Sequence, residues 1–317
     1  MKLFMKQLLQ SVILAGLVPG LMISAISYGF SRAMPQTEIH EKHMQGYKIT
    51  VLNSADEPVS MDLEAYIICV LLGEVSPEFH EEALKAQAVA ARTYTMYCIE
   101  ILNKHGSGAV CTDYHCCQAY CELNDYISSN GTSKELEKVI NAVEDTAGEV
   151  LRFDNELICA TYFASSGGRT EDALEVWGKA YPYLKAVESP GEESCGYFTK
   201  EFSITPLQLQ DVLNVKLSGK PETWFGMVRN TLGGGVDLMR IGGKLYTGVE
   251  IRRLLNLRST MMTVAAGDEE IVFVTKGYGH RVGMSQHGAD AMARNGSSYQ
   301  EILKHYFTDT VLQQYGN

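Results

Sequence analysis

The sequence predicts an α+β protein: an N-terminal transmembrane helix followed by a multi-lobed mixed α/β ectodomain. Three observations support this fold class. Residues 8–30 form an apolar run without a charged side chain, and apolar residues recur at helical spacing over 83–101. Segments with the alternation of β-strands lie on both sides of that helix.

The composition excludes one large class of partner. The 317 residues include 38 acidic and 27 basic side chains, which gives a net charge of −11. No basic cluster interrupts this acidic balance, so a nucleic acid is not an expected partner. The chain is longer than one typical domain and is long enough to bury a large core.

The apolar run at 8–30 is long enough to span a bilayer. A cleaved signal peptide is the alternative, but the run ends without a good small-x-small cleavage site, so an uncleaved single-pass anchor is favoured. Lys2 and Lys6 precede the run and place the amino terminus in the cytoplasm. We therefore expect a cytoplasmic tail and anchor at 1–34, a stalk at 35–46 and an ectodomain at 47–317.

The longest helical pattern begins near Ser76, which we expect to cap the helix, with Pro77 in its first turn. Glu74 stands just before this cap. Its apolar neighbours favour a raised pKa and the nearby helix N-terminus favours a lowered one, so both outcomes stay open. Lys85 and Arg92 are two turns apart and share one side of the helix.

The other elements follow from local signals of periodicity, capping and turns. They are a strand at 47–52, helices at 61–72 and 134–146, a β-hairpin of 149–153 with 156–163, an insertion lobe at about 202–266 with a helix after Thr205, a strand at 236–241 and a capping box at Thr247 and Glu250, paired strands at 261–266 and 271–276, and helices capped by Ser285 and Ser298.

Residues 105–121 combine four of the eight cysteines with two histidines. Sulfur and imidazole ligands at this density suit Zn²⁺. A disulfide is the alternative, because this part lies outside the cell, but Cys116 and Cys117 are adjacent and are difficult to bridge together. A metal site is favoured. If it has three protein ligands, the fourth position is open to water or to His115, Cys116 or Cys121.

Three segments carry a family resemblance. They are Glu74-Val-Ser-Pro with Glu82-Ala-Leu-Lys-Ala-Gln-Ala-Val-Ala-Ala-Arg-Thr-Tyr94, the loop Ser165-Ser166-Gly167-Gly168, and Gly277-Tyr-Gly-His-Arg-Val-Gly-Met-Ser-Gln-His-Gly-Ala289. Together they resemble the stage II sporulation protein D family, and the resemblance covers nearly the whole ectodomain. These three segments are expected to build one cleft.

The resemblance implies a membrane-anchored lytic transglycosylase that degrades peptidoglycan during engulfment in endospore formers. It implies Glu74 as the catalytic acid and base, and a Zn²⁺ triad of His105, Cys111 and Cys117 with a structural role. The residues implied to bind substrate are Lys85, Arg92, Ser165, Ser166, His280 and Gln286.

The resemblance also implies partners and a location. The partners are peptidoglycan glycan strands, the membrane and other engulfment proteins such as stage II sporulation proteins P and M. The ectodomain would lie outside the cell membrane, between mother cell and forespore.

Other functions stay open at this point. A glycan hydrolase would need a second carboxylate, for which Glu171, Asp172 and Glu175 are candidates. A non-catalytic peptidoglycan-binding tether would cleave nothing. A zinc amidase is a weaker idea, because the family's metal motif lies away from its catalytic glutamate.

Overall fold

The computed structural model describes residues 46–130 and 133–316, which form a mixed α+β fold. The predicted mixed α/β ectodomain is confirmed in this part of the chain. The predicted membrane anchor at 8–30 and most of the stalk lie outside the described residues. Within the residues that are described, no helix has the length and apolar character needed to cross a membrane.

The helices carry most of the larger core. In chain order they are α1 (Leu63–Glu74), α2 (Glu81–Tyr97), α3 (Leu123–Asn130), α4 (Lys134–Asp145), α5 (Ala173–Trp177), α6 (Pro206–Leu213), α7 (Gly248–Leu254), α8 (Gln286–Arg294) and α9 (Tyr299–Tyr306). A π-helical turn (Cys98–Leu102) extends α2, and a short 3₁₀ turn (Pro221–Thr223) precedes the strands of the insertion lobe.

The strands are short and form several small sheets. They are β1 (Lys48–Leu52), β2 (Pro58–Asp62), β3 (Ala109–Cys111), β4 (Glu149–Phe153), β5 (Glu156–Leu157), β6 (Tyr162–Phe163), β7 (Thr199–Ile204), β8 (Phe225–Asn230), β9 (Val236–Ile241), β10 (Lys244–Thr247), β11 (Met262–Ala266), β12 (Ile271–Lys276), β13 (Met284–Ser285) and β14 (Val311–Gln314).

Strand order in these sheets is β2-β1-β3, β14-β4-β5, β10-β9-β8, β11-β12-β7 and β13-β6. The β1–β3 and β13–β6 pairs are parallel, and the other pairs are antiparallel. The β13–β6 pair matters most for the site, because it joins two segments that lie more than a hundred residues apart in sequence.

Helix α2 lies at the centre of the larger core. It contacts α1, α4, α8, α9 and β4. Several buried residues of α2 are alanines, whose short side chains allow neighbouring elements to pack close to the helix backbone. They are Ala83, Ala86, Ala88, Ala90 and Ala91. Because α2 is surrounded on several sides, its polar residues must find partners inside the protein.

A second hydrophobic core occupies the segment predicted as an insertion lobe. Its buried members include Ile204, Leu209, Met239, Ile251 and Phe273. The core extends past residue 266, because β12 lies between β11 and β7 and contributes its inward-facing residues. The predicted capping box of Thr247 and Glu250 is present at the start of α7.

The predicted cap of α2 is wrong. The helix begins at Glu81, and the side chain of His80 accepts the hydrogen bond from the backbone N–H of Glu82. Ser76 instead accepts from the N–H of Glu78 in a short turn. The backbone N–H of His80 donates to Asp290 of α8 over 2.6 Å, a contact between distant residues that holds the start of the helix.

The first predicted helix also starts later than expected, at Leu63. The residues before it form β2, which pairs with β1, and Asp62 caps the helix by accepting from Glu64 N–H. The predicted long hairpin strand at 156–163 is divided into β5 and β6. A tight turn at 158–161 separates them and frees β6 to pair with β13.

Candidate active site

The described residues enclose a cleft of about 690 Å³. Its lining residues come from 74–79, 114–119, 161–164, 278–280 and 286–287, together with Tyr94 and Tyr197. This volume is in the usual range for a small-molecule or oligosaccharide site. The segments around Glu74 and Gly279 meet here as expected. The cysteine-rich loop is a wall that the sequence did not predict.

Glu74 is the last residue of α1 and points into this cleft. The backbone N–H of Ala119 donates to Glu74 Oε1 over 2.7 Å. Burial raises the pKa of Glu74 above its usual value, and the Ala119 N–H, Gln286 and Tyr162 oppose this rise. Burial is the largest of these causes, so the net shift of the pKa is upward, and the opposing causes are hydrogen bonds. Among the described residues that line the cleft, Glu74 has the only carboxyl group.

A buried chain of hydrogen bonds holds Tyr162 beside Glu74. The Tyr162 hydroxyl donates to Gln118 Oε1 over 2.7 Å, and Gln118 Nε2 donates to Thr95 Oγ1 of α2 over 2.8 Å. Burial, followed by the charge of Glu74, raises the pKa of Tyr162 well above its usual value, so the phenol stays protonated. Tyr162 and Gln118 were missed in the sequence because no local pattern marks either residue.

Gln286, the first residue of α8, also lies beside Glu74 and is only 7% exposed. Its amide faces the Glu74 carboxyl, and its Nε2 has no partner within hydrogen-bond distance among the residues described. A buried donor without a partner is uncommon in a folded protein. This donor is placed to bind an oxygen atom of a ligand in the cleft.

His280 lies on the cleft wall behind Tyr162. Its Nδ1 accepts from the backbone N–H of Val282 over 3.1 Å, and its ring also bonds to the carbonyl of Tyr162. Burial, and then the charge of Arg252, lowers the pKa of His280 to about 4. The ring is therefore neutral near pH 7 and positions Tyr162, and it contacts the rings of Phe163 and Trp177 at 5.6 and 5.4 Å between centroids.

Ser165 and Ser166 are not among the residues that line the cleft, although Ala164 just before them is. Both side chains are buried and donate to Glu192, each over 2.6 Å. Ser189 and Ser285 donate to the same carboxylate over 2.6 and 2.9 Å. This network fixes the loop before Gly167 and the start of α8. Substrate binding by Ser165 and Ser166 stays a prediction, and it would require these bonds to open.

Lys85 and Arg92 are not brought to the cleft. Lys85 pairs with Glu81 at 2.7 Å and Asp145 at 3.0 Å. Arg92 is fully buried and donates three hydrogen bonds to Glu64, the shortest from Arg92 Nη2 to Glu64 Oε2 over 2.5 Å. The two residues do share a side of α2, but this side faces other helices. In this structure both have structural partners, and their binding of substrate stays a prediction.

The candidates for a second carboxylate also lie outside the cleft wall. Glu171 is buried against Arg281, with 3.0 Å between Glu171 Oε1 and Arg281 Nη1. Asp172 caps α5 and pairs with Lys185, and Glu175 accepts from the backbone N–H of Leu232. Each of these carboxylates therefore has a structural partner within the protein.

The cysteine-rich loop brings four metal-ligating side chains together. The ligand atoms of His105, Cys111, Cys116 and Cys117 all lie within 4.8 Å of one another. His105 Nε2 is 3.4 Å from Cys117 Sγ and 3.6 Å from Cys116 Sγ. Tetrahedral zinc, with Zn–N of about 2.0 Å and Zn–S of about 2.3 Å, separates such atoms by roughly 3.6 Å. The two separations measured from His105 Nε2 are close to this value, and zinc binding by these residues stays a prediction.

The same loop has consequences for the cleft. All eight cysteines lie in the described residues, and each has a free thiol there. Cys116 and Cys117 line the cleft with Glu74, so the candidate metal cluster adjoins the candidate acid. A zinc amidase was a weaker idea in the sequence because the family's metal motif lies away from its glutamate, but in this structure Cys116, Cys117 and Glu74 line one cleft. Cys121 lies outside the cluster, and its backbone N–H donates to the Cys69 carbonyl over 2.9 Å.

Comparison with known proteins places these features in a family. A family model described as stage II sporulation protein matches residues 53–153. Stage II sporulation protein D of Bacillus amyloliquefaciens is 37% identical over 254 residues, which cover 78% of this chain and 73% of the relative. Stage II sporulation protein D of Bacillus subtilis (strain 168) is 35% identical over 272 residues, which cover 84% and 79%.

A more distant relative has a different name. The amidase enhancer of Bacillus subtilis (strain 168) is 28% identical over 300 residues, which cover 78% of this chain and 40% of the relative. The two nearer matches combine more than 30% identity with coverage of most of both chains, and they agree with the family model. The chain belongs to the stage II sporulation protein D family.

Proposed function

We propose that this protein is a lytic transglycosylase that cleaves the MurNAc–GlcNAc bond of peptidoglycan glycan strands. The observation that supports this most strongly is that Glu74 is the one carboxyl group among the described residues of the cleft wall, with a pKa raised by burial. A raised pKa favours the protonated form of a carboxylic acid, which is the form that a general acid needs.

One carboxyl group is enough for the proposed reaction. Glu74 donates its proton to the glycosidic oxygen as the bond to the anomeric carbon breaks. The Glu74 carboxylate then takes the proton of the sugar's own 6-hydroxyl while that oxygen attacks the anomeric carbon. The product is a 1,6-anhydro-muramic end, and no water is consumed. Gln286 Nε2 is available to a sugar oxygen, and the neutral Tyr162 hydroxyl stays beside the acid with its proton donated to Gln118 Oε1.

A hydrolase is the nearest alternative. Most glycoside hydrolases use two carboxyl groups, about 5–10 Å apart, that flank the bond. The described cleft wall offers one, and Glu171, Asp172 and Glu175 have other partners. These observations favour the transglycosylase over the hydrolase.

Product analysis in labelled water tests the reaction type. Purified full-length protein is incubated with glycan strands in H₂¹⁸O, and the fragments are measured by mass spectrometry. The proposal expects 1,6-anhydro ends without label. Reducing ends with ¹⁸O at the anomeric carbon would indicate a hydrolase. Strands that are bound but remain intact would indicate a tether.

We also propose a structural Zn²⁺ bound by His105, Cys111 and Cys117, with Cys116 as the fourth ligand. Four protein ligands close the coordination sphere, and closed sites are typical of structural zinc. The distances of 3.4 and 3.6 Å from His105 Nε2 to the two adjacent sulfurs support this set. When bound, the ion would hold the loop whose next residues include Ala119, the donor to Glu74.

The proposed setting follows the family and its relatives. Two relatives carry the name stage II sporulation protein D, and we propose action during engulfment in sporulation. In this proposal, residues 8–30 anchor the chain in the cell membrane and the ectodomain lies between mother cell and forespore. Stage II sporulation proteins P and M are the proposed protein partners.

A further inference from the structure

Arg258 lies against two tyrosines of the cleft wall and is held by further hydrogen bonds. Its guanidinium is 5.5 Å from the ring centroids of both Tyr197 and Tyr278, two residues that line the cleft. Arg258 Nη1 donates to the carbonyl of Gly196 over 3.1 Å. Its own carbonyl accepts from the N–H of Gly279 over 3.0 Å, so its backbone is tied to the loop that carries His280.

Arg252 brings a second guanidinium to the same region. It lies on α7, and its charge acts on both Tyr278 and His280. Burial lowers the pKa of Arg252, which means that this charge is partly removed from water. The insertion lobe therefore contributes two cations to one side of the cleft.

Arg252 and Arg258 have no carboxylate partner among the residues that the structure describes. In the described part of the chain, no Asp or Glu forms an ion pair with Arg252 or Arg258, although Arg92, Arg281 and Arg294 each have one. The whole chain carries eleven more negative than positive charges, so acidic side chains are in excess. Partly buried cations usually have paired charges. Two cations without them, beside a cleft, indicate an anion that comes from outside the protein.

We propose that Arg252 and Arg258 form a subsite that binds a carboxylate of the glycan strand, next to the sugar held at Glu74. This inference rests on the proposed function for the identity of the strand. A guanidinium binds a carboxylate through two parallel hydrogen bonds, and Arg258 is already oriented by its two tyrosine neighbours. The exposed faces of Tyr197 and Tyr278, each 42% exposed, flank the subsite and suit a sugar ring.

Peptidoglycan offers a carboxylate from two sources. One is the lactyl ether of muramic acid when no peptide is attached, and the other is the stem peptide. The test therefore uses three ligands: peptide-free strands, the same strands with lactyl carboxyls reduced to alcohols, and peptide-bearing strands. Binding is measured with full-length protein carrying Glu74→Gln, which limits turnover during the measurement.

The proposal expects carboxylate-bearing strands to bind roughly 10- to 100-fold more tightly than the reduced strands, as for a hydrogen bond to a charged group. Arg258→Met and Arg252→Met should each remove most of this difference, and Arg258→Lys should restore part of it. Arg253→Met is the matched control, because Arg253 is the next residue of α7 and is exposed. It changes the net charge equally and should leave the difference intact.

The outcomes separate the two sources and the two proposals. Tighter binding of peptide-free strands than of reduced strands supports the lactyl carboxylate as the bound group. Tighter binding of peptide-bearing strands alone supports a carboxylate of the stem peptide. Equal binding of all three ligands would overturn the subsite, as would an equal loss in Arg253→Met. Failure of wild-type protein to cleave any strand would remove the transglycosylase proposal, while the binding differences would still be measured.

Discussion

Gly73 of α1 lies directly against the backbone of Ala119 and Tyr120. A Cβ atom at Gly73 would lie 2.7 Å from Tyr120 N and 2.9 Å from the Ala119 carbonyl carbon. This close approach allows the Ala119 N–H to reach Glu74 Oε1 over 2.7 Å. The missing side chain at Gly73 thus joins the cysteine-rich loop to the candidate acid.

Gly73→Ala should therefore impair cleavage. The added methyl group pushes the backbone at 119–120 away from α1, and we expect a loss of stability of about 1–3 kcal/mol, as for overpacking elsewhere. The maximal rate should fall more than the glycan affinity, because the donor to Glu74 moves. Gly226→Ala is the control, since its added Cβ meets only ordinary contacts. Normal rates in a folded Gly73→Ala protein would contradict this account.

Arg92 should matter for stability and not for glycan binding. Arg92→Met leaves Glu64 with an unpaired charge in a mostly buried place, which should cost roughly 3–5 kcal/mol in the free energy of unfolding. Lys85→Met is the comparison, because the Lys85 partners Glu81 and Asp145 are more than half exposed, and its loss should cost within about 1 kcal/mol. Denaturation curves of the two variants measure the loss of stability, and glycan affinities of the folded variants show whether binding is retained. Weakened binding without destabilisation would instead favour direct substrate contact.

The proposed metal set makes a prediction about two nearby cysteines. Cys116→Ser should lose zinc under competition with a chelator and should melt at a lower temperature, because structural zinc contributes to folding. Cys121→Ser should retain zinc and the wild-type melting temperature, since Cys121 lies in the same loop but outside the cluster. Elemental analysis of the two purified full-length proteins gives the zinc content. Equal zinc retention in both variants would exclude Cys116 as a ligand.

The raised pKa of Glu74 predicts how the stability depends on pH. Below the usual glutamate pKa of about 4.3, folded and unfolded states both hold the proton, and Glu74 adds no pH dependence. As the pH rises toward the raised folded pKa, the unfolded state loses its proton first, so the wild type loses stability. Glu74→Gln should therefore gain stability relative to the wild type between acidic and neutral pH. A relative loss over this interval would mean that the pKa is lowered.

Local signals predicted many of the elements because both halves of each signal lie within a few residues. The capping boxes at Thr247 and Ser298 and the turn at Asp154 and Asn155 are of this kind. The cap of α2 was wrong because His80 depends on Asp290, which lies 210 residues further along the chain. No local pattern contains that contact.

Residues of the candidate site were predicted from the sequence where they lie in a family motif, and were missed where they depend on distant contacts. Glu74, His280 and Gln286 were identified through family motifs and do line one cleft. Tyr162 and Gln118 were missed, because their hydrogen bond joins residues 44 positions apart. Periodicity correctly placed Lys85 and Arg92 on one side of α2, but it carries no information on whether that side faces a cleft or a neighbouring helix.

The cleavage rate of Glu74→Gln tests the central claim most directly. The substitution keeps the size of the side chain, and glutamine can still accept from Ala119 N–H, but it can neither donate nor take up the catalytic proton. Cleavage of glycan strands should fall by on the order of 10²-fold or more, while glycan affinity and folding are retained. A folded Glu74→Gln protein that binds strands and cleaves them at the wild-type rate would contradict the assignment of Glu74 as the acid and base.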